Sequence, residues 1–146
     1  MSHPLNKIIP GFHLHSYYAG INMAFAEVVG MGCKQLALSS PYSMEMAEEM
    51  LEATEYAAKE YGAVLMMEPD LLVSKLFPPN IAKDKTVILI AHDQSVLDDY
   101  QMLKKLKKYS NEEGNPDDLE TEIAQRFGAL LSYDEATINR LIAKNG

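Results

Sequence analysis

The stretch Thr86-Val87-Ile88-Leu89-Ile90-Ala91 decides the fold class, because its five consecutive apolar residues predict a strand that is buried on both faces. Three further segments are short, apolar and preceded by a glycine or a lysine-rich turn, namely Lys34–Ser39, Ala63–Met67 and Ala129–Tyr133. A fifth segment, Phe12–His15, is either an edge strand or a loop that enters a helix. Strands buried on both faces are typical of parallel sheets covered by helices, so we predict a mostly parallel sheet.

Helical patterns separate these strands, and the clearest one begins at Ser43, a predicted N-cap, and ends before Gly62. The others are Tyr18–Val29, Pro69–Leu76, Asp93 or Ser95 to Tyr109, Pro116 to Phe127, and Asp134–Lys144. The octapeptide Ala58–Leu65 aligns with Ala124–Leu131 as helix, glycine and strand, which supports the last predicted strand. The alternation of strand and helix predicts one α/β domain over residues 1–146, a three-layer α/β/α sandwich with four or five strands, and a fragmentary or small barrel as the alternative.

Composition and charge restrict the partners of the chain. The 146 residues are 47% hydrophobic and 23% charged, and the formal net charge is -8. An acidic surface repels polyanions, so we expect neither nucleic acid nor an anionic membrane as a partner. The single cysteine, Cys33, predicts a reducing, cytoplasmic location. A run of four lysines (Lys104, Lys105, Lys107 and Lys108) is interpreted as a solvated helix end rather than an anion-binding patch.

Candidate chemistry lies where the predicted strands end in polar residues. Ser39–Ser43, Glu68–Asp70, His92–Gln94 and Tyr133–Glu135 each follow a strand, and ligands of parallel sheets collect at this edge. Loop and capping preferences also explain such residues. Near the N-terminus, His13 and His15 are two residues apart, so on an extended backbone both imidazoles face one side and suit a single metal ion.

The segments His13–Gly20, Glu27–Val29 and Gly32–Ser39 resemble the opening of the polymerase and histidinol phosphatase (PHP) superfamily, whose members begin with H-x-H-S-x-Y. The resemblance implies a distorted (β/α)₇ barrel with two or three metal ions that hydrolyses phosphate esters. By position it implies a ligand set of His13, His15, Glu68 and His92. The chain departs from the family where Ser40-Pro41 replaces Asp-His, and its 146 residues are too few for seven βα units, so any such barrel is incomplete.

These patterns leave three hypotheses about function. The first is a hydrolase of a small phosphorylated substrate, in which Zn, Mn or Fe lowers the pKa of a bound water and Asp93 or Asp70 acts beside it. The second is a Rossmann-like module without catalysis that binds a small anionic molecule through Ser39, Ser40 and Ser43. The third is an interaction protein that forms a homodimer or larger homo-oligomer through surfaces rich in methionine and tyrosine (Met44, Met46, Tyr17 and Tyr18).

Overall fold

The computed structural model describes residues 3–146 and, within them, five α-helices and three β-strands. In chain order the elements are α1 (Leu14–Gly30), β1 (Leu36–Leu38), α2 (Met44–Tyr61), β2 (Val64–Glu68), β3 (Val87–Ala91), α3 (Gln94–Glu112), α4 (Asp117–Leu130) and α5 (Glu135–Asn145). A single 3₁₀ turn, Pro4–Lys7, precedes α1. No helix within residues 3–146 has both the length and the apolar character needed to cross a membrane.

The three strands form one open sheet in the order β1-β3-β2, and β3 is antiparallel to both neighbours. Leu36 pairs with Ala91 on one side of β3, and Glu68 pairs with Val87 on the other. Consequently β1 and β2 point in the same direction and α2 crosses between them. The prediction of a mostly parallel sheet of four or five strands is wrong, and so is the barrel alternative, because the sheet is short and has two edges.

The direction of β3 follows from the chain that precedes it. The predicted helix Pro69–Leu76 does not form, and no α-helix lies between Glu68 and Val87. The Leu72 N–H donates to the Tyr100 hydroxyl and the Leu76 N–H donates to the Ser74 hydroxyl, so side chains replace helical acceptors in this segment. Pro78 and Pro79, which lack a backbone N–H, prevent a helix from continuing beyond it. Parallel neighbours are usually joined by a crossover helix, whereas β3 follows an irregular segment and pairs antiparallel with β2. The apolar run indicated that β3 is buried, but burial alone does not determine strand direction.

Helices cover both faces of the sheet, and the two faces of β3 belong to different clusters. Ile88 and Ile90 pack with residues of α1 and α2. Val87, Leu89 and Ala91 pack with residues of α3, α4 and α5. All five residues of β3 are buried, so alternate side chains contribute to opposite cores. This two-sided burial explains why the strand has no polar alternation.

The predicted strand Ala129–Tyr133 is also wrong, since it contains the last two residues of α4 and the turn that follows them. Gly62 ends α2 with φ +77°, as a helix-terminating glycine does. Gly128, its counterpart in the sequence repeat, lies inside α4 and lets Ile138 of α5 approach closely. The repeat therefore pairs two glycines with different roles, one for backbone conformation and one for packing.

The starts of α2, α3 and α5 were predicted accurately, whereas α1 begins at Leu14 and not at Tyr18. Ser43, Asp93 and Asp134 each precede a helix, and their side chains accept hydrogen bonds from backbone N–H groups in its first turn. The segment Phe12–His15 is not an edge strand, because α1 already begins at Leu14. These N-caps fix where α2, α3 and α5 begin relative to the sheet.

Candidate functional site

The two histidines of the H-x-H motif lie at the start of α1 and not on a strand. His13 is the N-cap of α1, and its Nδ1 accepts a hydrogen bond from the Ser16 N–H at 3.3 Å. The His15 Nε2 lies 2.8 Å from Glu49 Oε2 on α2, and both side chains are about half exposed. The rings of His13 and His15 are 5.8 Å apart, centroid to centroid. Capping and an exposed pair between helices account for both residues.

His92 lies at the other end of the same helix. Its Nδ1 donates a hydrogen bond to the Val29 carbonyl oxygen at 2.8 Å, at the C-terminal end of α1. Since α1 has 17 residues, its two ends are about 25 Å apart. His92 therefore cannot share a metal ion with His13 or His15.

Glu68 is separated from His92 by the length of β3. Glu68 pairs with Val87 at the start of β3, whereas His92 follows Ala91 at its end, and the strand between them is about 14 Å long. Within residues 3–146 no group of three His, Cys, Asp or Glu side chains is arranged to hold a metal ion. The ligand set implied by the PHP resemblance therefore does not fit this structure, and we derive no metal-dependent step from it.

The two acids proposed for catalysis are likewise far apart. Asp93 is the N-cap of α3, where its Oδ1 accepts hydrogen bonds from the Ser95 hydroxyl at 2.5 Å and the Val96 N–H at 3.3 Å. The hydrogen bond from Ser95 is the largest cause of a pKa of Asp93 below its ordinary value. Asp70 follows β2 at the opposite end of the sheet, and its side chain is 90% exposed. Asp93 thus has a structural role as a helix cap, and Asp70 lies beside α3, with its Oδ2 3.8 Å from Lys104 Nζ.

Two of the three serines proposed for ligand binding use their hydroxyls to bond to the backbone. The Ser39 hydroxyl is buried, accepts from the Ile88 N–H at 2.8 Å and donates to the Ser40 carbonyl oxygen at 2.9 Å. The Ser43 hydroxyl accepts from the Met46 N–H at 3.1 Å as the N-cap of α2. The Ser40 hydroxyl has no hydrogen-bond partner within residues 3–146. The structure thus gives two of the three hydroxyls a role in the fold.

The cap at Ser43 yields a test of that role. We expect Ser43→Ala to lower the free energy of unfolding by about 1 kcal/mol, because the Met46 N–H loses its acceptor. Chemical denaturation measures this loss. The matched control is Ser40→Ala, whose effect we expect to stay within about 0.5 kcal/mol. Equal effects of the two substitutions would contradict the capping role.

A buried polar network at the end of β2 connects three parts of the chain. Glu68 is only 4% exposed. Its Oε2 accepts from the Tyr100 hydroxyl at 2.8 Å and lies 3.1 Å from Lys104 Nζ, while its Oε1 accepts from the Asp70 N–H at 2.9 Å. The Tyr100 hydroxyl also accepts from the Leu72 N–H at 2.9 Å. Burial raises the pKa of Tyr100 far above its ordinary value, so the hydroxyl keeps its proton.

The network holds the chain after β2 against α3, and a groove of about 450 Å³ runs between them. We call this groove the lysine groove. Its residues are Asp70, Leu71, Leu72 and Val73 on one wall and Gln101, Lys104, Lys105, Lys107, Lys108 and Asn111 on the other. One wall is thus mainly apolar, and the other presents four ammonium groups and two amides.

Two of the four lysines of the groove form ion pairs with glutamates of the protein, and two do not. Lys104 pairs with Glu68 at 3.1 Å, and Lys107 pairs with Glu120 of α4 at 2.5 Å. Burial raises the pKa of Glu120, but hydrogen bonds from Lys107 and Ser110 outweigh this effect, so the pKa lies below its ordinary value and the carboxylate stays ionised. Within residues 3–146, Lys105 and Lys108 have no carboxylate within 4.0 Å.

The balance of charge in the groove is opposite to that of the whole chain. Four lysines face three acids (Glu68, Asp70 and Glu120), which leaves one positive charge locally. The chain as a whole has a net charge of -8. The interpretation of the lysine run as a solvated helix end fits Lys105 and Lys108, which are exposed, but not Lys104 and Lys107, which are half-buried and paired with acids. The sequence does contain a signal for this wall of the groove. The spacing of Gln101, Lys104, Lys105 and Lys108 places them on one face of a helix.

Fold and site together define a mixed α/β protein with a three-stranded antiparallel sheet between helical layers and a lysine-lined groove beside α3. The chain matches no protein-family model, no curated protein and no solved structure. Its function is therefore inferred from the chemistry of the groove.

Proposed function

We propose that this protein is a binding module for a small anionic ligand, and that the lysine groove is the binding site. The main support for this proposal is that Lys105 and Lys108 line the groove without an acidic partner within residues 3–146. An ammonium group donates up to three hydrogen bonds and suits phosphate or carboxylate oxygens. The exposed thiol of Cys33 favours a reducing compartment such as the cytoplasm as the place of action.

The dimensions and walls of the groove narrow the ligand class. A groove of about 450 Å³ lies within the range of pockets that hold metabolites, about 300–1,000 Å³. Leu71, Leu72 and Val73 offer apolar contact opposite the lysines. Gln101 and Asn111 add amide donors and acceptors on α3. The ligand best suited to these walls carries a phosphate or carboxylate group on a body with an apolar side.

The paired lysines also support this proposal. Lys107 is held by Glu120, and Lys104 is held by Glu68 and by the Asp70 carbonyl oxygen at 2.7 Å. These contacts fix the two ammonium groups at the groove wall, so a ligand does not have to order them. Lys105 and Lys108 are exposed and lose more side-chain freedom on binding. The proposal thus combines two fixed positive groups with two that remain available for the anion.

The experiment is a calorimetric titration at low ionic strength with pyrophosphate and with citrate as probes. We expect saturable binding that weakens as salt is added, because exposed charges are screened. We expect the double variant Lys105→Gln/Lys108→Gln to bind at least about tenfold more weakly, since hydrogen bonds to charged groups contribute about 1.5–3 kcal/mol.

The matched control is Lys59→Gln/Lys144→Gln. It removes the same number of charges from exposed lysines outside the groove. We expect this variant to bind both probes like the unaltered protein. Absence of saturable binding by either probe, or an equal loss in both double variants, would contradict the proposed site.

A further inference from the structure

Strand β2 has one edge that faces no other strand within residues 3–146. The sheet order β1-β3-β2 places it at the border, and the four residues Val64–Met67 are all half-buried, apolar and uncharged. Natural edge strands are usually protected by charged side chains, proline or a bulge. The central part of this edge has no such protection, so it is suited to pair with another strand.

The hydrogen bonds of β3 determine which backbone groups of β2 point outward. Thr86 exchanges backbone hydrogen bonds with Tyr42, both at 2.8 Å, and the Ser39 N–H donates to the Ile88 carbonyl oxygen at 3.0 Å. Thr86 and Ile88 therefore direct their backbone groups toward the β1 side. Because these directions alternate along an antiparallel ladder, the residues between and after them direct theirs toward β2.

The same alternation applies to β2. The β3 residues that face β2 are Val87, Leu89 and Ala91, and they pair with Glu68, Met66 and Val64. Leu65 and Met67 therefore direct their N–H and C=O groups away from the sheet. Neither residue exchanges a backbone hydrogen bond with any other element within residues 3–146. The edge thus presents two donors and two acceptors at regular spacing.

We propose that a second copy of this chain covers this edge, with the two β2 strands pairing antiparallel about a two-fold axis at Met66. In this register Leu65 lies opposite Met67 of the second copy, and Met67 lies opposite its Leu65. The outward groups of both strands then form four hydrogen bonds and leave none unpaired. The two sheets become one continuous six-stranded sheet. This inference does not rest on the function of the lysine groove.

The neighbouring symmetric registers leave outward groups unpaired. A register with Leu65 opposite itself places Ala63 opposite Met67, but the Ala63 N–H already donates to the Ala58 carbonyl oxygen at 2.9 Å. A register with Met67 opposite itself places Pro69 opposite Leu65, and proline has no N–H to donate. The edge is therefore complementary to itself in the register centred on Met66, so a second copy of this chain satisfies it.

Charge does not oppose this pairing at the strands themselves. The proposed register places Val64 opposite Glu68 of the second copy, so no two acids of β2 face each other. Lys104 lies 3.1 Å from Glu68 and neutralises it. Repulsion between two acidic chains is thus not concentrated at the seam.

Disulfide crosslinking tests both the partner and the register. Met66 and its symmetry mate would form a non-hydrogen-bonded pair with Cα atoms about 4.5 Å apart, which is within disulfide range. In a Cys33→Ser background, which removes the exposed native thiol, we expect Met66→Cys to form a covalent dimer on mild oxidation. The control Leu65→Cys would place its two sulfur-bearing residues about 8 Å apart, so we expect at least about tenfold less crosslinking.

Hydrogen exchange of the unaltered chain tests the same proposal without a substitution. The amides of Val64, Met66 and Glu68 bond to β3, so we expect them to be protected at every protein concentration. We expect protection of the Leu65 and Met67 amides to rise at least about tenfold with concentration. Two outcomes would overturn the proposal: fast, concentration-independent exchange at Leu65 and Met67, or crosslinking of Leu65→Cys that equals that of Met66→Cys.

Discussion

Replacing Tyr100 with phenylalanine is expected to lower the free energy of unfolding by about 2–3 kcal/mol. The substitution deletes one hydroxyl and keeps the ring, which packs 6.0 Å from Phe127, centroid to centroid. The buried Leu72 N–H loses its acceptor, and the Glu68 carboxylate loses a donor. A buried polar group without a partner costs far more than the hydrogen bond itself contributes. The whole effect therefore comes from the network that positions the wall of the lysine groove.

Equilibrium denaturation with urea measures this loss. The control is Tyr109→Phe, which makes the same chemical change on the same helix at a residue that is 54% exposed. We expect the control to remain within about 0.5 kcal/mol of the unaltered protein. A loss below about 1 kcal/mol for Tyr100→Phe would mean that the hydroxyl does not hold the segment after β2 against α3.

The second large effect is expected at Gly30, where Gly30→Ala should cost about 3 kcal/mol. Gly30 is the last residue of α1 and lies against the C-terminal residue of α2. A Cβ at this position would lie 2.8 Å from the Tyr61 Cβ and 2.9 Å from its carbonyl carbon, and closer still to its carbonyl oxygen. Since two of these atoms are backbone, the helices must move apart to accept even one methyl group.

A matched control for this substitution lies in the same helix. Gly20→Ala adds the same methyl group at an exposed position of α1 with no atom within 4 Å of the new Cβ. We expect it to stabilise the protein by about 0.5–1 kcal/mol, because alanine is the better helix former. Thermal or urea denaturation of the two variants should therefore change stability in opposite directions. The close approach of α1 and α2 would be contradicted if both variants were stabilised.

Local signals in the sequence predicted where α2, α3 and α5 begin. The side chains of Ser43 and Asp134 cap helices at the predicted starts, and of the two candidates Asp93 and Ser95 it is Asp93 that caps α3. A cap depends only on residues within one turn, which makes it visible in the sequence. The sheet direction was not predictable in the same way. The apolar run of β3 is compatible with burial in a parallel or an antiparallel sheet. The antiparallel direction goes with the absence of a crossover helix after Pro69, where a tertiary contact, the hydrogen bond from the Leu72 N–H to the Tyr100 hydroxyl, replaces local structure.

The site was predicted less well, for a related reason. Glu68 was recognised as a polar residue at the end of a strand, but its partners Tyr100 and Lys104 come from a helix that begins 26 residues later, at Gln94. The lysine run had a visible helical spacing, yet its opposite wall is the irregular segment Asp70–Val73. A groove between a helix and an irregular segment leaves no motif of its own in the sequence. The histidine motif suggested a metal site because an imidazole nitrogen can bind a metal ion, but the same nitrogen can accept a backbone hydrogen bond at a helix start, as His13 does here.

The most direct test of the lysine groove is a titration of the ¹⁵N-labelled protein with pyrophosphate, followed by the chemical shifts of its backbone amides. We predict saturable shifts concentrated in Leu71–Val73 and Gln101–Asn111, the two walls of the groove. We also predict that Leu14–Tyr18, beside the exposed histidines, does not respond. Saturable shifts centred on the histidines, or no saturable shift along either wall, would contradict the account of this protein as an anion-binding module.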